Sequence, residues 1–577
     1  MRTHYPRTPH LPWSPGASAD DLRAGDPGAL RGREVVVTEK LDGENTTLYR
    51  DGTHARSLDS SHHPSRAWVK ALQGGIGPFL PAGLRVCGEN LHARHSVPYE
   101  DLDSWFYGFS VWDGDRCLDW DRTVRFLRRL GIPVPPVLWR GTYDEAALRA
   151  LRLDTARREG YVVRTVDGFR YGEFGRHVAK WVRAGHVTTG THWMHAAVVE
   201  NGLGPAAPLW AVRSGAAPDA DALSAAVGVA VTGSGAADRA ADVCGRLDAL
   251  GRTGDARLSG VLAALLHATP RVRLAARLAG PLGMPQARRV ADLAGLRPAL
   301  HRPYPDEDRA AGLARLALAA DLGVLHAVAA ATAPDAEARE QAEWSALHAE
   351  EAGLLGPDPL RPLRHGLREA LAGLDTEAAD RCWAEARAAY AAGRIAGPEE
   401  AVAATWRWRS AEFPRLIHLT GPAGSGKSTF AGTLPGGTVR IALDDLRLAR
   451  GSRADQRANA DVLREGLRRL DTALAGRATV VWDATSLNPH QRSLVHAVAR
   501  RRDALVTHVV TPVDEEELAR RNAGRAHPVP PAVLTAQARR FTPPYPGEAH
   551  RTWYVGAGGT VEDTDGSLGG AATGQEA

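Results

Sequence analysis

Hydrophobic and polar residues follow three different patterns along the chain, and each pattern predicts a different kind of structure. Between Glu34 and about His195, short β-rich runs such as EVVVTEK, WFYGFSVWD, YVVRT and HVAKWV alternate with Asp-Gly turn signals. This is typical of a mixed, mostly antiparallel α+β domain. From about Asn201 to Ser410, apolar residues recur at helical spacing, as in DRAAGLARLALAADL. This second region is predicted to be all-helical.

The third pattern begins at Pro414. The runs RLIHLT, TVRIAL, ATVVWDA and LVTHVVTP alternate with helical stretches such as DVLREGLRRLDTALA. Strands separated by helices predict an α/β domain with a parallel sheet and crossover helices. The polar, Gly-rich stretch that ends the chain predicts a disordered tail. We therefore predict a multidomain protein with parts at 1–195, 196–410 (of unassigned role), 411–555 and a tail at 556–577.

Composition narrows the class of protein. Of the 577 residues, 44% are hydrophobic, and the Pro-interrupted N-terminus lacks the apolar segment of a signal peptide. No run of eighteen apolar residues occurs, and the four cysteines lack CxxC spacing, which argues against a cysteine zinc site or a disulfide scaffold. We expect a cytoplasmic protein with no membrane contact. The net charge of +4 permits a polyanionic partner without requiring one.

Lysine is rare in this chain. Of the 71 basic residues, only Lys40, Lys70, Lys180 and Lys427 are lysines. Arginine neither loses its proton to become a nucleophile nor acts as a compact point charge on phosphate, so lysine is expected to persist mainly where such chemistry requires it. Lys70 lies on a predicted helix outside the motifs described below, and its role is left open between contact with a polyanion or phosphate and a solvated helix face.

A phosphate-binding motif lies in the C-terminal region. Gly421 to Thr429 reads GPAGSGKST, a complete GxxxxGK[ST] (Walker A) sequence between a predicted strand and a predicted helix. Glycines allow backbone N–H groups to point at phosphate oxygens, Lys427 would reach the terminal phosphates, and Ser428 would ligate Mg²⁺. The motif predicts ATP binding through Gly421, Gly424, Gly426, Lys427, Ser428 and Thr429.

Further polar residues follow the next predicted strands. The strand TVRIAL leads to Asp444, at the edge of the sheet where ligands bind in such folds, so this carboxylate could accept a hydroxyl proton. Another strand ends at Asp483, before the segment ATSLNP. Arginines in ELARRNAGRAHPVP, including Arg521 and Arg525, could close over a transferring phosphate.

Residues 416–541 resemble the phage-type 5′-polynucleotide kinases. The resemblance implies that Asp444 is the general base for a 5′-hydroxyl and that Arg447 binds the acceptor phosphate. It places Asp483 before a TxLNP-like segment at the substrate, and it makes Arg521 and Arg525 lid arginines. P-loop kinases of small hydroxylated metabolites and toxin-type nucleotide-sugar kinases share the loop and the aspartate, and they stay open as alternatives.

A second set of motifs lies near the N-terminus. The strand EVVVTE runs into Lys40-Leu41-Asp42-Gly43, followed by HARS, GEN, FYGF, EGYVV and VAKW. A lysine amine attacks an electrophile only when neutral, so such a lysine needs burial, cations or a metal to lower its pKa. The order of these motifs resembles the covalent nucleotidyltransferases, the superfamily of ATP-dependent polynucleotide ligases and capping enzymes, and is most similar to RNA ligases.

This resemblance implies a nucleotidyltransferase domain with ATP-grasp-like antiparallel sheets, in which Lys40 takes AMP from ATP. The implied contacts are Glu39, Asp42 and Gly43 at the adenylate, Arg56 at phosphate, Glu89 at the ribose, Phe109 on adenine, Glu159 at a metal or metal-bound water, and Lys180 at the α-phosphate. The chain departs from the pattern at Val182, where such ligases commonly have a second lysine. If that second cation is needed to activate the nucleophile, adjacent Arg183 must substitute for it, or the first step is slow.

A kinase that makes 5′-phosphates and a ligase that uses them catalyse consecutive steps. We therefore expect a bifunctional RNA repair enzyme that uses ATP and Mg²⁺ (or Mn²⁺) on RNA with 5′-hydroxyl or 5′-phosphate ends and 3′-hydroxyl ends. Three alternatives stay open: capping-type nucleotidyl transfer from GTP, a degenerate nucleotidyltransferase that only binds nucleic acid, and DNA as the substrate.

Overall fold

The computed structural model describes residues 2–24, 27–58, 62–185, 197–303, 305, 308–450, 459–525 and 528–569. The chain divides into two compact units, each described by itself below. Of the described residues, the first unit contains those up to 226 together with 247–258, and the second contains those of 227–246 and 259–569. The boundary predicted at residue 195 lies outside the described residues.

The first unit is built on two antiparallel sheets. Its strands are β1 (Glu34–Lys40), β2 (Glu44–Tyr49), β3 (Gly52–Ala55), β4 (Leu84–Asn90), β5 (Phe106–Asp113), β6 (Arg116–Cys117), β7 (Val137–Thr142), β8 (Gly160–Thr165), β9 (Phe169–Arg170) and β10 (Val178–Val182). The strand orders are β10-β8-β1-β7 and β3-β2-β4-β5-β6-β9. This confirms the predicted antiparallel α+β architecture.

The hydrophobic pattern explains how these sheets are buried. In β1, Val35, Val36 and Val37 are all fully buried, because this strand lies between β7 and β8 and is covered on both faces. The six-stranded sheet packs Leu48 and Phe106 against its helices. The helices of this part are α1 (Ala67–Ile76), α2 (Trp120–Leu130), α3 (Glu145–Arg149) and α4 (Phe174–His177).

Helices follow from residue 207 to residue 404, and no strand interrupts them in the described part of this region. This confirms the predicted all-helical middle. Their bounds are α5 Ala207–Arg213, α6 Ala220–Val227, α7 Ala236–Ala249, α8 Gly254–Leu265, α9 Arg271–Leu282, α10 Met284–Leu296, α11 Arg309–Ala317, α12 Leu322–Ala331, α13 Ala336–Glu351, α14 Arg361–Ala370, α15 Thr376–Ala391 and α16 Pro398–Ala404.

Among the described residues, no single helix is long and apolar enough to cross a membrane. By length and composition alone, α11 and α12 taken together are, although the two helices meet at a bend of 103°.

The second unit also contains a six-stranded sheet. Its strands are β11 (Arg415–Thr420), β12 (Val439–Ala442), β13 (Thr479–Asp483), β14 (Leu505–Val510), β15 (Arg551–Val555) and β16 (Val561–Asp565), in the order β12-β13-β11-β14-β15-β16. The helices are α17 (Lys427–Ala431), α18 (Leu443–Leu448), α19 (Asn459–Ala475), α20 (Pro489–Arg501), α21 (Glu515–Ala523) and α22 (Pro531–Arg540). All pairings are parallel except β15–β16, so the predicted α/β fold is confirmed and gains an antiparallel edge.

The prediction of a disordered tail from residue 556 is wrong for residues 556–569. Strand β16 pairs with β15 there, and Asp563 accepts a 2.6 Å contact from the buried Arg288 guanidinium. Leu568 is buried, and its N–H donates to Asp380 at 2.8 Å. The sequence of this stretch is polar because β16 is an edge strand with largely exposed residues. It lacks the apolar alternation of a half-buried strand, so its composition resembled that of a disordered segment. The rest of the predicted tail, 570–577, lies outside the described residues.

Candidate active sites

A cavity of about 190 Å³ lies in the first unit, lined by residues from both antiparallel sheets. Six of the residues predicted to bind nucleotide or catalyse its transfer line this cavity: Glu39, Lys40, Arg56, Glu89, Phe109 and Lys180. These residues are separated by up to 141 positions in the chain, so the fold brings together what the motif order implied.

Lys40 occupies the end of β1, directly opposite Gly160 at the start of β8. This register places Lys40 beside Glu159, and the Lys40 ammonium donates a hydrogen bond to the Glu159 carboxylate. Burial lowers the pKa of Lys40, but the negative charges of Glu159 and Glu89 outweigh burial and leave the pKa raised. The lysine is therefore held in its protonated form by its own surroundings.

The turn after Lys40 is fixed by hydrogen bonds. The Asp42 carboxylate accepts the Val97 N–H at 2.8 Å, and the Asp42 N–H donates to the Tyr99 hydroxyl at 2.9 Å. The Gly43 N–H donates to Glu89 at 3.2 Å. A Cβ on Gly43 would lie 2.4 Å from the Asn90 carbonyl oxygen, so only glycine fits. Asp42 and Gly43 thus shape the turn, and they do not line the cavity.

Three charged residues complete the polar side of the cavity. Glu39 pairs with Arg158 at 3.1 Å, while burial raises its pKa. Burial raises the pKa of Glu89 to about 8, and Lys40 opposes this shift. On β10, burial lowers the pKa of Lys180, and the charge of Lys40 lowers it further.

The other side of the cavity is apolar. Phe109 on β5 and Val162 on β8 line it and pack against the same buried cluster. The Phe109 ring also contacts Tyr5, with ring centroids 5.1 Å apart. An aromatic face binds a base without polar pairing, so this surface suits the adenine ring that the resemblance assigns to Phe109.

The N-terminal segment contributes residues that the motifs did not reveal. Tyr5, Pro6, Arg7 and Thr8 line the cavity. The segment is held along β10: the Lys180 N–H donates to the Pro9 carbonyl at 2.9 Å, and the Leu11 N–H donates to the Lys180 carbonyl at 2.8 Å. Backbone pairing with an edge strand requires no particular side chains, so the sequence carried no signal of it beyond a proline-rich composition.

The departure at position 182 has a local explanation. Val182 is buried, and its N–H donates to the Ser14 hydroxyl at 2.9 Å. Arg183 does not line the cavity, which favours the other alternative, a slow first step, unless another cation takes its place. In the described part of the chain, Arg7, Arg56 and Arg164 are the arginines at the cavity.

The phosphate-binding loop of the second unit connects β11 to α17. Gly421 has a φ of +149°, and a Cβ there would lie 2.5 Å from the Thr511 hydroxyl. Gly424 and Gly426 also have positive φ values, as the motif requires. The Lys427 ammonium donates to the Pro422 carbonyl at 2.6 Å. Burial lowers the pKa of Lys427 to about 8, although nearby carboxylates raise it.

Ser428 and Asp483 meet at the end of β13. The Ser428 hydroxyl, next to Thr429 on α17, donates to the buried Asp483 carboxylate at 3.1 Å. Arg440 also binds Asp483, with its Nε at 3.1 Å. These oxygens are hard ligands, so Ser428 and Asp483 fit a divalent cation bound with a triphosphate. Asp483 therefore lies with the predicted metal ligand Ser428.

The predicted acceptor residues lie together on α18. Arg447 Nη1 contacts Asp444 at 2.5 Å, and Arg447 Nε donates to Asn459 at 3.0 Å. Asp444 is exposed, and its charge acts on Lys427. A pocket of about 360 Å³ beside this helix is lined by basic and acidic side chains that include Arg440, Asp445, Arg468 and Arg469.

The predicted lid arginines lie at the end of α21: Arg521 is within the helix, and Arg525 follows it. Arg521 pairs with Glu517 at 2.5 Å and donates to the Ala557 carbonyl at 3.1 Å. Its guanidinium lies 3.5 Å from the position of a Cβ on Gly426, so it is at the phosphate-binding loop. The positive charge of the exposed Arg525 lowers the pKa of Lys427. Both lid arginines are thus near the predicted phosphate site.

Two further residues shape the site without a motif. The Asn522 side chain bonds the backbone of Val529 twice: it donates to the Val529 carbonyl at 2.8 Å and accepts the Val529 N–H at 2.9 Å. Gln537 on α22 accepts the Ala423 N–H of the phosphate-binding loop at 2.9 Å. A single glutamine on a helix face gives no sequence signal for this contact.

Family models match the two units separately. Residues 33–182 match the model of the RNA ligase family, and residues 416–544 match the model of an AAA domain. The chain carries an RNA ligase domain and an AAA domain. The RNA ligase domain contains the Lys40 cavity, and the AAA domain contains the phosphate-binding loop with Lys427.

Solved structures are similar to parts of the chain. One is a chain of the Pnkp1/Rnl/Hen1 RNA repair complex, with 23% identity over 22% of this chain and 44% of that chain, and a TM-score of 0.20. A gluconokinase from Sinorhizobium meliloti is 24% identical over 25% of this chain and 83% of that chain, with a TM-score of 0.20. A Naegleria gruberi RNA ligase with ATP and Mn is 20% identical over 31% of this chain and 60% of that chain, with a TM-score of 0.22.

No curated protein matches the chain. The chain spans less than half the length of the repair-complex chain that it matches.

Proposed function

We propose that the chain is a bifunctional RNA end-healing and sealing enzyme: an ATP-dependent RNA ligase and a 5′-hydroxyl polynucleotide kinase. The observation that carries the proposal is the convergence of Lys40, Lys180, Glu89 and Phe109 on one cavity of the RNA ligase domain. The AAA domain independently combines a complete phosphate-binding loop with Asp444 as a candidate base. We also propose that it acts in the cytoplasm.

In the ligase step, the Lys40 amine attacks the α-phosphorus of ATP, the bond to the β-phosphate breaks, and pyrophosphate leaves. Glu159 accepts the hydrogen bond of Lys40 Nζ, so it is placed to take the proton that the ammonium must lose. Lys180 is placed to stabilise charge on the α-phosphate. AMP then moves to an RNA 5′-phosphate, and a 3′-hydroxyl displaces AMP to form the phosphodiester bond.

In the kinase step, a 5′-hydroxyl attacks the γ-phosphorus of ATP and ADP leaves. Asp444 is exposed at the sheet edge and would take the hydroxyl proton. Lys427, Arg521 and Arg525 would hold the phosphates. Ser428 and Asp483 would hold the divalent cation, Mg²⁺ or Mn²⁺, which neutralises triphosphate charge when bound.

The test is mass spectrometry of the intact protein and its peptides after incubation with Mg²⁺ and either ATP or GTP. We expect an AMP adduct on Lys40 that survives Lys427→Ala and disappears in Lys40→Ala. A GMP adduct would instead favour capping-type transfer, and the absence of any adduct would contradict the ligase assignment.

The kinase is tested with γ-labelled ATP and three acceptors: 5′-hydroxyl RNA, 5′-hydroxyl DNA and a small sugar acid such as gluconate. We expect label on RNA, retained in Lys40→Ala and lost in Lys427→Ala. Transfer only to DNA would move the substrate to DNA ends. Transfer only to the sugar acid would contradict a polynucleotide kinase.

A further inference from the structure

Three histidines meet inside the AAA domain, and neither proposed reaction uses them. His418 lies on β11 and His508 lies directly beside it on the parallel strand β14. His496 comes from α20, and its ring stacks on His508 with centroids 4.8 Å apart. One ring nitrogen from each histidine lies within 4.8 Å of one from each of the others. Three elements thus present imidazole nitrogens to one small volume.

These imidazoles are kept neutral. His418 and His508 are fully buried, and burial lowers the pKa of both well below the usual 6.5. Burial also lowers the pKa of the partly exposed His496 to about 4. Neutral imidazole has a free lone pair, and this is the form that binds metal ions.

The hydrogen bonds of the cluster are incomplete. His418 Nε2 lies 2.8 Å from the buried Ser486 hydroxyl, whereas His418 Nδ1 has no hydrogen-bond partner among the described residues. His508 Nδ1 is also buried without a partner in the described chain. Native proteins rarely leave buried polar atoms unsatisfied, and an ion or water commonly accounts for those that remain.

We propose that His418, His496 and His508 bind a divalent transition-metal ion, with Zn²⁺ as the expected ion. Metal-bound histidines usually direct their other ring nitrogen to a hydrogen-bond partner, and Ser486 is such a partner for His418. Nitrogen ligands of tetrahedral zinc are about 3.3 Å apart. His496 Nε2 and His508 Nε2 are 2.8 Å apart, and the nitrogens of the cluster lie within 4.8 Å of one another, so metal binding would require ring movements of up to about 1.5 Å.

Neighbouring groups are compatible with a cation. The nearby Arg492 is engaged by the Glu548 carboxylate at 2.9 Å and by the Thr542 carbonyl at 2.8 Å. Thr552 pairs with His508 across β14 and β15, and its hydroxyl is buried without a partner in the described chain. A metal here would join β11, which leads into the phosphate-binding loop, to β14 and α20.

The proposal is tested on the full-length protein, purified without a polyhistidine tag, loaded with Zn²⁺ and dialysed against metal-free buffer. We expect elemental analysis to find one tightly bound Zn²⁺ per chain in the parent protein and in His490→Gln. His490 is an exposed histidine on the same helix and serves as the matched control. His496→Gln is expected to lose at least nine-tenths of the bound metal.

Cobalt provides a second measurement. Co²⁺ in place of zinc should give the visible absorption of a tetrahedral nitrogen site in His490→Gln and not in His496→Gln. If His496→Gln does not fold by circular dichroism, His418→Gln takes its place. Absence of bound metal from the parent protein, or equal metal content in all variants, would overturn the proposal and make the cluster a network of neutral imidazoles.

Discussion

Lys40 and Glu159 form an ion pair at the point where β1 ends and its antiparallel neighbour β8 is about to begin. The Glu159 side chain is only 7% exposed, so water screens this pair weakly. Since an amine must be neutral to attack phosphorus, the proposed nucleophile is stored in its unreactive form. Productive binding of ATP must therefore weaken this pair or move the proton to Glu159.

The first prediction is that Glu159→Gln makes Lys40 more reactive toward a small acylating reagent. The substitution removes the negative charge that favours the ammonium, while burial still lowers the pKa. Each unit of decrease in pKa raises the neutral fraction about tenfold, so we expect acylation at pH 8 to rise by about tenfold or more. Peptide mass spectrometry measures it readily, since the chain has only four lysines.

Lys70 is the internal reference for this experiment. It is exposed on α1, and its acylation should be equal in the parent protein and the variant. Unchanged acylation of Lys40 relative to Lys70 would mean that Glu159 does not control the proton of Lys40.

The second prediction concerns Arg7, which lines the ligase cavity from the N-terminal segment. The resemblance to RNA ligases implies a second lysine at the position of Val182, and we expect Arg7 to supply positive charge to the triphosphate in its place. Arg7→Ala should slow formation of the Lys40 adduct by about tenfold, the typical effect of removing one charge-assisted hydrogen bond. Single-turnover labelling with ATP measures the rate.

Arg2→Ala is the matched control, because Arg2 lies in the same segment but contacts Asp51 and the Tyr49 ring. Equal rates in Arg7→Ala and the parent protein would exclude this role for Arg7. Equal slowing in both variants would show that the segment acts through its overall placement.

The third prediction is a dependence of ATP affinity on pH. Burial raises the pKa of Glu89 to about 8, so its carboxyl is mostly protonated at pH 7 and charged at pH 9. A carboxylate accepts hydrogen bonds from ribose hydroxyls better than a carboxylic acid does. The KM for ATP in adduct formation should therefore fall several-fold as pH rises from 7 to 9.

Glu89→Gln should abolish this change, because an amide does not titrate. The rate of adduct formation should still rise with pH in the variant, since the pKa of Lys40 is raised. A KM in the parent protein that is constant across this range would contradict the contact of Glu89 with the ribose.

The places of Lys40 and Lys427 in the two candidate sites could be predicted from the sequence, because each lies within a contiguous motif whose spacing is fixed by local backbone geometry. Lys427 follows three glycines with positive φ, and Lys40 precedes a turn in which only glycine fits at Gly43. Because the backbone geometry requires glycine near each lysine, the neighbouring residues form a motif that can be recognised in the sequence. The order of strand-like and helical stretches likewise predicted the antiparallel sheets of the first unit and the parallel sheet of the second.

Residues that act through long-range contacts could not be predicted. Arg7 reaches its cavity by backbone pairing along an edge strand, and Gln537 reaches the phosphate-binding loop from a helix more than a hundred positions away. Strand β16 also lacks a pattern, because an edge strand with exposed side chains needs no apolar alternation. In each case the residue or strand is placed by contacts with residues distant in the sequence, which leave no local pattern.

The fourth prediction separates the two adjacent aspartates of α18. Asp444 contacts Arg447 and acts electrostatically on Lys427, whereas Asp445 lines the neighbouring pocket. Asp444→Asn should slow the turnover of 5′-hydroxyl RNA by about a hundredfold or more while ATP binding stays within twofold, because a general base typically contributes that much. Asp445→Asn is the control and should retain activity within a few-fold. Loss of activity in Asp445→Asn alone would assign the base to the second aspartate.

The fifth prediction concerns Arg440, whose guanidinium binds the same Asp483 carboxylate that contacts Ser428. Arginine and a divalent cation would compete for these oxygens, so Arg440→Gln should lower the Mg²⁺ concentration that gives half-maximal kinase activity. Arg440 is 46% exposed, which limits the strength of its pair with Asp483. We expect the half-maximal Mg²⁺ concentration to fall by about fivefold or less, with maximal activity nearly constant.

Arg464→Gln, on the exposed face of α19, is the control and should leave the Mg²⁺ dependence unaltered. If Arg440 instead holds a phosphate of the substrate, Arg440→Gln would reduce the maximal rate and leave the Mg²⁺ requirement where it was.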